Sequence, residues 1–333
     1  MDNRAEDTSP LLKINGITTS FFTRRGVLNA VDNVTIEIPR EKTIGIVGES
    51  GCGKSMTAMS VMGLQSPGKV VSGSIEFEGR DLLKLSKKEM RSIIGNQITM
   101  IFQEPMTSLN PVITVGRQVK EAIVLHTKIS DAEAKKKVID IFQQVGIPDA
   151  ESRYNAYPHQ LSGGLRQRVM IGMAMVCNPD LLIADEPTTA LDVTIEAQIL
   201  QLMKNLQKES KMSIMIITHN LGVVAEICDE VYVMYAGKVM EYTNVYDLFR
   251  NTLHPYTDGL IRSIPRISSA GERLYSIQGM VPNLLDLPKG CRFCTRCEKA
   301  SGRCFEEEPE LQEVEKGHYV RCFLYDSGVK NHE

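Results

Sequence analysis

The 333-residue chain is 42% hydrophobic and 24% charged, with a net charge of −3 at neutral pH. Those values suit a globular protein large enough for one sizeable domain plus an extension, and they exclude a strongly basic nucleic-acid binder. No run approaches the ~18 apolar residues of a membrane span, and the acidic, polar residues 1–10 predict no signal peptide, so any link to a membrane is expected to go through a partner.

In chain order, Thr43-Ile44-Gly45-Ile46-Val47 is a short apolar run ending in a glycine-rich turn, and helix-compatible residues follow from Ser55 to Met62. The stretch 104–176 lacks a convincing strand and predicts a helical insertion. Within it, residues 132–145 set Val138, Ile141, Phe142 and Val145 on one helix face, and Gly146 closes the helix. Residues 181–184 and 213–217 are unbroken apolar runs, as buried parallel strands are. Between them, 192–208 repeats a helical spacing through Ile195, Ile199, Leu202 and Leu206. Residues 231–235 and 239–242, joined through Ala236-Gly237-Lys238, predict a hairpin. Composition shifts near Pro255, after which Pro265, Pro282 and Pro288 punctuate a loop-rich tail. No internal repeat or low-complexity tract is present.

Gly48-Glu49-Ser50-Gly51-Cys52-Gly53-Lys54-Ser55 matches the phosphate-loop pattern at every fixed position. Glycines let successive backbone N–H groups turn inward on phosphates, and the following helix adds its positive N-terminal end. Lys54 is the candidate for reaching the β- and γ-phosphates, and Ser55 for offering its hydroxyl to Mg²⁺. Leu181-Leu182-Ile183-Ala184-Asp185-Glu186 supplies what the loop lacks, because an apolar strand there delivers two carboxylates at its C-terminal end. Asp185 is the candidate for holding Mg²⁺ through its water shell. Glu186 is the candidate general base for the water attacking the γ-phosphate. Between loop and carboxylates lies Leu161-Ser162-Gly163-Gly164-Leu165-Arg166-Gln167-Arg168, a helix start that can form a second anion-binding end.

In this order the three elements resemble the ATP-binding cassette (ABC) family. The resemblance implies an α/β fold: a P-loop NTPase nucleotide-binding domain over residues 1–255, with a mixed sheet core, an antiparallel β subdomain and a helical subdomain at about 104–176. A small cysteine-rich C-terminal extension over 256–333 completes it. Further roles follow from the same resemblance. Phe21 matches the aromatic that stacks on adenine, with Phe22 the fallback, and Met56 joins the nucleotide contacts. Gln103 matches the glutamine that contacts Mg²⁺ and signals to the membrane partner. Ala190-Leu191-Asp192 matches the loop that crosses the dimer interface, and His219 matches the histidine that contacts the γ-phosphate. Ser162, Gly163 and Gly164 match the segment that covers the γ-phosphate bound by the opposite subunit, so ATP is expected to hold a head-to-tail dimer together. The chain departs from the pattern at Asn220, where the family usually has Asp, and at Leu165, where many members carry Gln. Neither touches a catalytic role.

The segment from Phe102-Gln103-Glu104-Pro105 to Pro111, and His254-Pro255-Tyr256-Thr257, are similar to the dipeptide and oligopeptide importer branch, which nickel importers share. That branch implies an ATPase that powers solute import from the cytoplasmic face of the cell membrane. Its partners would be two transmembrane permease subunits and a paralogous ATPase subunit, or a second copy of this chain in isolation. An extracellular or periplasmic solute-binding protein would act indirectly, and no nucleic acid is expected. A soluble ABC ATPase not linked to transport is the alternative; those acting on nucleic acid or ribosomes usually carry two cassettes or long insertions and basic surfaces.

Of eight cysteines, Cys52, Cys177 and Cys228 are scattered, whereas Cys291, Cys294, Cys297, Cys304 and Cys322 crowd the last fifth of the chain. In a cytosolic protein such crowding reads first as a metal site. Cys291, Cys294 and Cys297 have a CxxCxxC spacing like that of ferredoxins, although the gap that follows departs from it. The importer branch carries cysteines matching Cys291, Cys297, Cys304 and Cys322, which makes Cys294 the extra one. Four thiolates suit a [4Fe–4S] cluster, the preferred expectation, or a structural Zn²⁺. Stabilising the tail is the expected role.

Overall fold

The computed structural model describes residues 9–103, 108–189, 191–264 and 275–326. The expectations placed on residues 1–8, 104–107, 190 and 265 lie outside them. In the first part of the chain the strands are β1 (Leu12–Thr23), β2 (Gly26–Ile38), β3 (Thr43–Val47), β4 (Lys69–Phe77), β5 (Arg80–Asp81) and β6 (Ile98–Ile101). They are followed by β7 (Leu181–Asp185), β8 (Ser213–Thr218), β9 (Glu230–Tyr235), β10 (Lys238–Asn244), β11 (Gln312–Glu315) and β12 (His318–Val320). The helices that matter below are α1 (Lys54–Met62), α2 (Lys87–Ile93), α3 (Val115–His126), α4 (Asp131–Gln144), α5 (Gly163–Met175), α6 (Val193–Ser210), α7 (Leu221–Ile227), α8 (Val245–Arg250) and α9 (Pro255–Arg262). No helix among the described residues is long and apolar enough to cross a membrane.

The chain divides into two compact units. One unit takes Met1–Leu11, Ile38–Thr43 and Asp81–Ile217. Its strands β6, β7 and β8 pair in parallel, with Ile98 opposite Leu181 and Leu181 opposite Ser213. Every residue of β7 and β8 is buried, which is why their sequences run apolar without alternation. Helices α3, α4 and α5 pack on one another, and among the described residues no strand lies between Ile101 and Leu181. Helix α4 begins with a capping box in which Ser130 and Glu133 exchange hydrogen bonds. It buries Val138, Ile141 and Phe142, the face read from the sequence.

The other unit takes Leu12–Glu37, Ile44–Arg80 and Thr218–Glu333. It holds an antiparallel sheet in the order β2-β1-β4-β5. Strand β3, also fully buried, runs parallel to β9 with Val47 opposite Val233. Strands β9 and β10 form the expected hairpin, turning through Ala236 and Gly237 at φ 45° and 86°. Positive φ at both positions matches the twist of a two-residue hairpin. Beyond β10 the sheet continues through β12 and β11, so the C-terminal residues extend this sheet instead of standing apart from it. The buried carboxylate of Glu241 ties the join: it accepts from Leu253 N–H at 2.8 Å, His254 N–H at 3.0 Å, and contacts His318 Nε2 at 2.7 Å.

Candidate functional site

The phosphate loop lies between β3 and α1. Gly48, Gly51 and Gly53 all have positive φ, and two of them are sterically fixed. A Cβ on Gly48 would stand 2.1 Å from the Met234 carbonyl oxygen, and one on Gly53 would stand 2.4 Å from that of Ala30. Lys54 is buried, and its Nζ donates to the Gly48 and Glu49 carbonyls at 2.7 and 3.0 Å. The ammonium is therefore curled over its own loop. Cys52 is buried, which pushes its thiol pKa up. Its carbonyl accepts from Gly237 N–H at 2.9 Å, pinning the loop to the hairpin turn.

Phe21 is half-buried near the end of β1, its ring against Gly68, whereas Phe22 is 63% exposed. His219 is exposed just after β8. Asn220, one of the two departures, caps α7: its side-chain oxygen accepts from Gly222 N–H at 2.9 Å. Asn serves that cap as well as Asp does, so the local fold does not depend on the lost charge.

The carboxylate pair belongs to the other unit. Asp185 ends β7 and is 3% exposed. Glu186 sits at φ 45°, a conformation that costs a non-glycine residue ~1–3 kcal/mol and persists only where its surroundings impose it. Its N–H donates to the Ile217 carbonyl at 2.8 Å. Its carboxylate accepts from Gln103 Nε2 at 3.1 Å and from Thr189 Oγ1 at 2.8 Å. The structure thus brings together Gln103 and Glu186, two residues expected to serve the same nucleotide from positions 83 residues apart.

Ser162 caps α5 by accepting from Leu165 N–H at 3.4 Å, and both Ser162 and Gly163 are exposed. The helix start is therefore open to solvent at Ser162 and Gly163. One helical turn on, buried Gln167 donates to the Pro187 carbonyl at 2.5 Å. That bond, which the sequence did not announce, ties the Ser-Gly-Gly helix directly to the turn after Glu186. Asp192 also has a structural job, capping α6 through Ile195 N–H at 3.0 Å.

The five clustered cysteines line one cavity of about 170 Å³, together with His254, Phe293, Arg303 and Phe323. Burial pushes the Cys291 thiol up to about 12 and the Cys322 thiol up to about 11. His254, wholly buried, is held down at about 4 and is neutral at physiological pH. Cys294, expected to be the extra residue, is as buried as Cys291 and lines the same cavity. Against the sequence expectation, no group of three or more His, Cys, Asp or Glu among the described residues is arranged to hold a metal ion. The cysteines surround a space instead of converging on a point.

Residues 31–189 match the family described as "ABC transporter", and residues 240–304 match "Oligopeptide/dipeptide transporter, C-terminal region". The oligopeptide transport ATP-binding protein AppD of Bacillus subtilis is 50% identical over 96% of this chain and 98% of its own length. The dipeptide transport ATP-binding protein DppD of Escherichia coli is 46% identical, again over 96% of this chain and 98% of its own. The dimeric post-hydrolysis structure of the ATP-binding cassette MJ0796, bound to ADP and Pi, is similar in fold at a TM-score of 0.64 and 26% identity. It covers 70% of this chain and 98% of that one.

Proposed function

The chain belongs to the ABC transporter family, and we propose that it is the ATP-hydrolysing subunit of an importer of di- and oligopeptides. The observation that carries this reading is the presence, in one chain, of an ABC module and a matched oligopeptide/dipeptide-transporter C-terminal region. ATP is bound by the loop 48–55 with Lys54 on its phosphates, Met56 beside them and Phe21 on the adenine. Mg²⁺, for which Ser55, Gln103 and Asp185 are suitable oxygen donors, would neutralise phosphate charge. Glu186 takes the proton of the attacking water, whose oxygen bonds to the γ-phosphorus as the bridging bond to ADP breaks. Gln103 orients the Glu186 carboxylate, and His219 contacts the γ-phosphate. Ser162, Gly163 and Gly164 complete the partner's site; loss of the γ-phosphate removes the charge both subunits grip, and the dimer opens. The partners are two permease subunits and a sister ATPase at the cytoplasmic face of the membrane.

The same reading assigns the cysteine cavity to a [4Fe–4S] cluster on Cys291, Cys297, Cys304 and Cys322, with a staple's role. Four sulfurs on one zinc must meet at ~2.3 Å from a single point, whereas the thiolates of a cluster bind separate irons around a shared volume. What supports a shared site is that all five cysteines line one cavity. Iron and acid-labile sulfide in anaerobically purified protein support the cluster, and zinc without iron refutes it. For the transport function, a strain lacking the gene should fail to grow on a dipeptide as sole source of a required amino acid. Growth on the free amino acid should be normal. A defect only in nickel-dependent growth would overturn the peptide assignment.

A further inference from the structure

The cysteine-bearing segment does more than surround a cavity. Arg296, between Cys294 and Cys297, has a side chain only 3% exposed, and its guanidinium forks onto the carboxylate of Glu49, the second residue of the phosphate loop. Nη1 donates to Glu49 Oε2 at 2.6 Å and Nη2 to Oε1 at 3.0 Å. The Arg is itself held in place, donating through Nε to the Gln278 carbonyl at 2.9 Å and through Nη1 to the Tyr235 hydroxyl at 3.3 Å. Glu49 is gripped at its other end too, since its N–H donates to the Tyr256 hydroxyl at 2.8 Å. Tyr256 and Tyr235 pack on each other and on Phe293, which sits between Cys291 and Cys294. Arg292, next to Cys291, reaches the same loop indirectly. It bonds Asp32 and the Ala236 carbonyl, and the following Gly237 N–H donates to the Cys52 carbonyl. Val47, which leads into the loop, shares one apolar cluster with Cys291, Phe293 and Cys294.

A free carboxylate beside a loop built to hold a triphosphate opposes binding by charge repulsion. A bidentate Arg cancels that charge and fixes where the carboxylate points. We propose that Arg296 is a positioning residue for nucleotide binding, which neutralises and orients Glu49 so that the ATP affinity of the phosphate loop depends on the folded cysteine segment. The proposal rests on the reading that residues 48–55 bind ATP, and the wild-type measurement tests that reading separately.

The test is a double-mutant cycle read by titration calorimetry of the full chain with ATP and Mg²⁺. If the wild type binds no ATP, the underlying reading fails before the cycle begins. Given wild-type binding, Arg296→Gln should weaken ATP by about tenfold, equivalent to ~1.4 kcal/mol. In the Glu49→Gln background the same substitution should have no effect, because no carboxylate remains to be neutralised. The cycle is repeated with Arg296→Lys, which keeps a cation but loses the fork and serves where the glutamine variant does not fold; a smaller loss of the same sign is expected. An equal loss in both backgrounds means a merely structural Arg and overturns the proposal, as does wild-type affinity in the Arg296→Gln single variant.

Discussion

The phosphate loop and the carboxylate turn are expected to serve the same nucleotide, yet their surroundings differ in kind. Gly48 and Gly53 are wedged against backbone carbonyls, Lys54 is buried, and Glu49 is held at both its carboxylate and its N–H. The Glu186 carboxylate instead accepts from the exposed side chains of Gln103 and Thr189, and the Ser162 helix start faces solvent. Deep packing suits a cradle that must keep its shape in every state. Exposed, single hydrogen bonds are cheap to exchange, which suits groups that rearrange as ATP is bound and hydrolysed.

That contrast can be broken by substitution. The largest effect is expected for Glu186→Gln, which keeps the size and the bond to Gln103 but cannot accept a proton. Turnover should fall ~10²–10⁴-fold while ATP binding persists, as read by single-turnover kinetics and nucleotide titration. Gly48→Ala should act oppositely: with no room for a Cβ, ATP binding itself should fall, by about a hundredfold or more if the clash costs ~3 kcal/mol. If Gly48→Ala bound ATP normally, the rigid-cradle half of the comparison would be wrong. Ser162→Ala loses a helix cap worth ~1 kcal/mol in stability. Its larger consequence should appear in mixed dimers, where hydrolysis drops at the partner's site while the variant's own site still binds ATP. The smallest effect on turnover belongs to Gln167→Ala, which strands the Pro187 carbonyl and should lower stability by ~1–3 kcal/mol in denaturant melts. Turnover should fall with it if α5 truly steadies the carboxylate turn.

Much of this machinery was legible as sequence because it is local. Eight consecutive residues make the phosphate loop, and the burial of β7 and β8 on both faces leaves an unbroken apolar run that cannot be missed. The alternation of β1 was less readable, because its pairing with β4 shifts register between Asn15 and Thr19, around Gly16. Strands β11 and β12 escaped notice because they are four and three residues long and owe their existence to the edge of β10. The Arg296–Glu49 pair spans 247 residues and leaves no periodic trace. Its only local sign is an arginine between two cysteines in a segment that packs as core. The cysteines themselves were visible, but whether they converge on a point or ring a cavity is a three-dimensional fact.

The most direct test of the account is transport in proteoliposomes holding this chain with the proposed sister ATPase and permease subunits, and the proposed solute-binding protein supplied outside. ATP inside the vesicles should drive uptake of a labelled dipeptide with the wild-type chain, and uptake should collapse with Glu186→Gln although ATP still binds. Uptake that proceeds equally well with Glu186→Gln would contradict the claim that hydrolysis by this chain powers import.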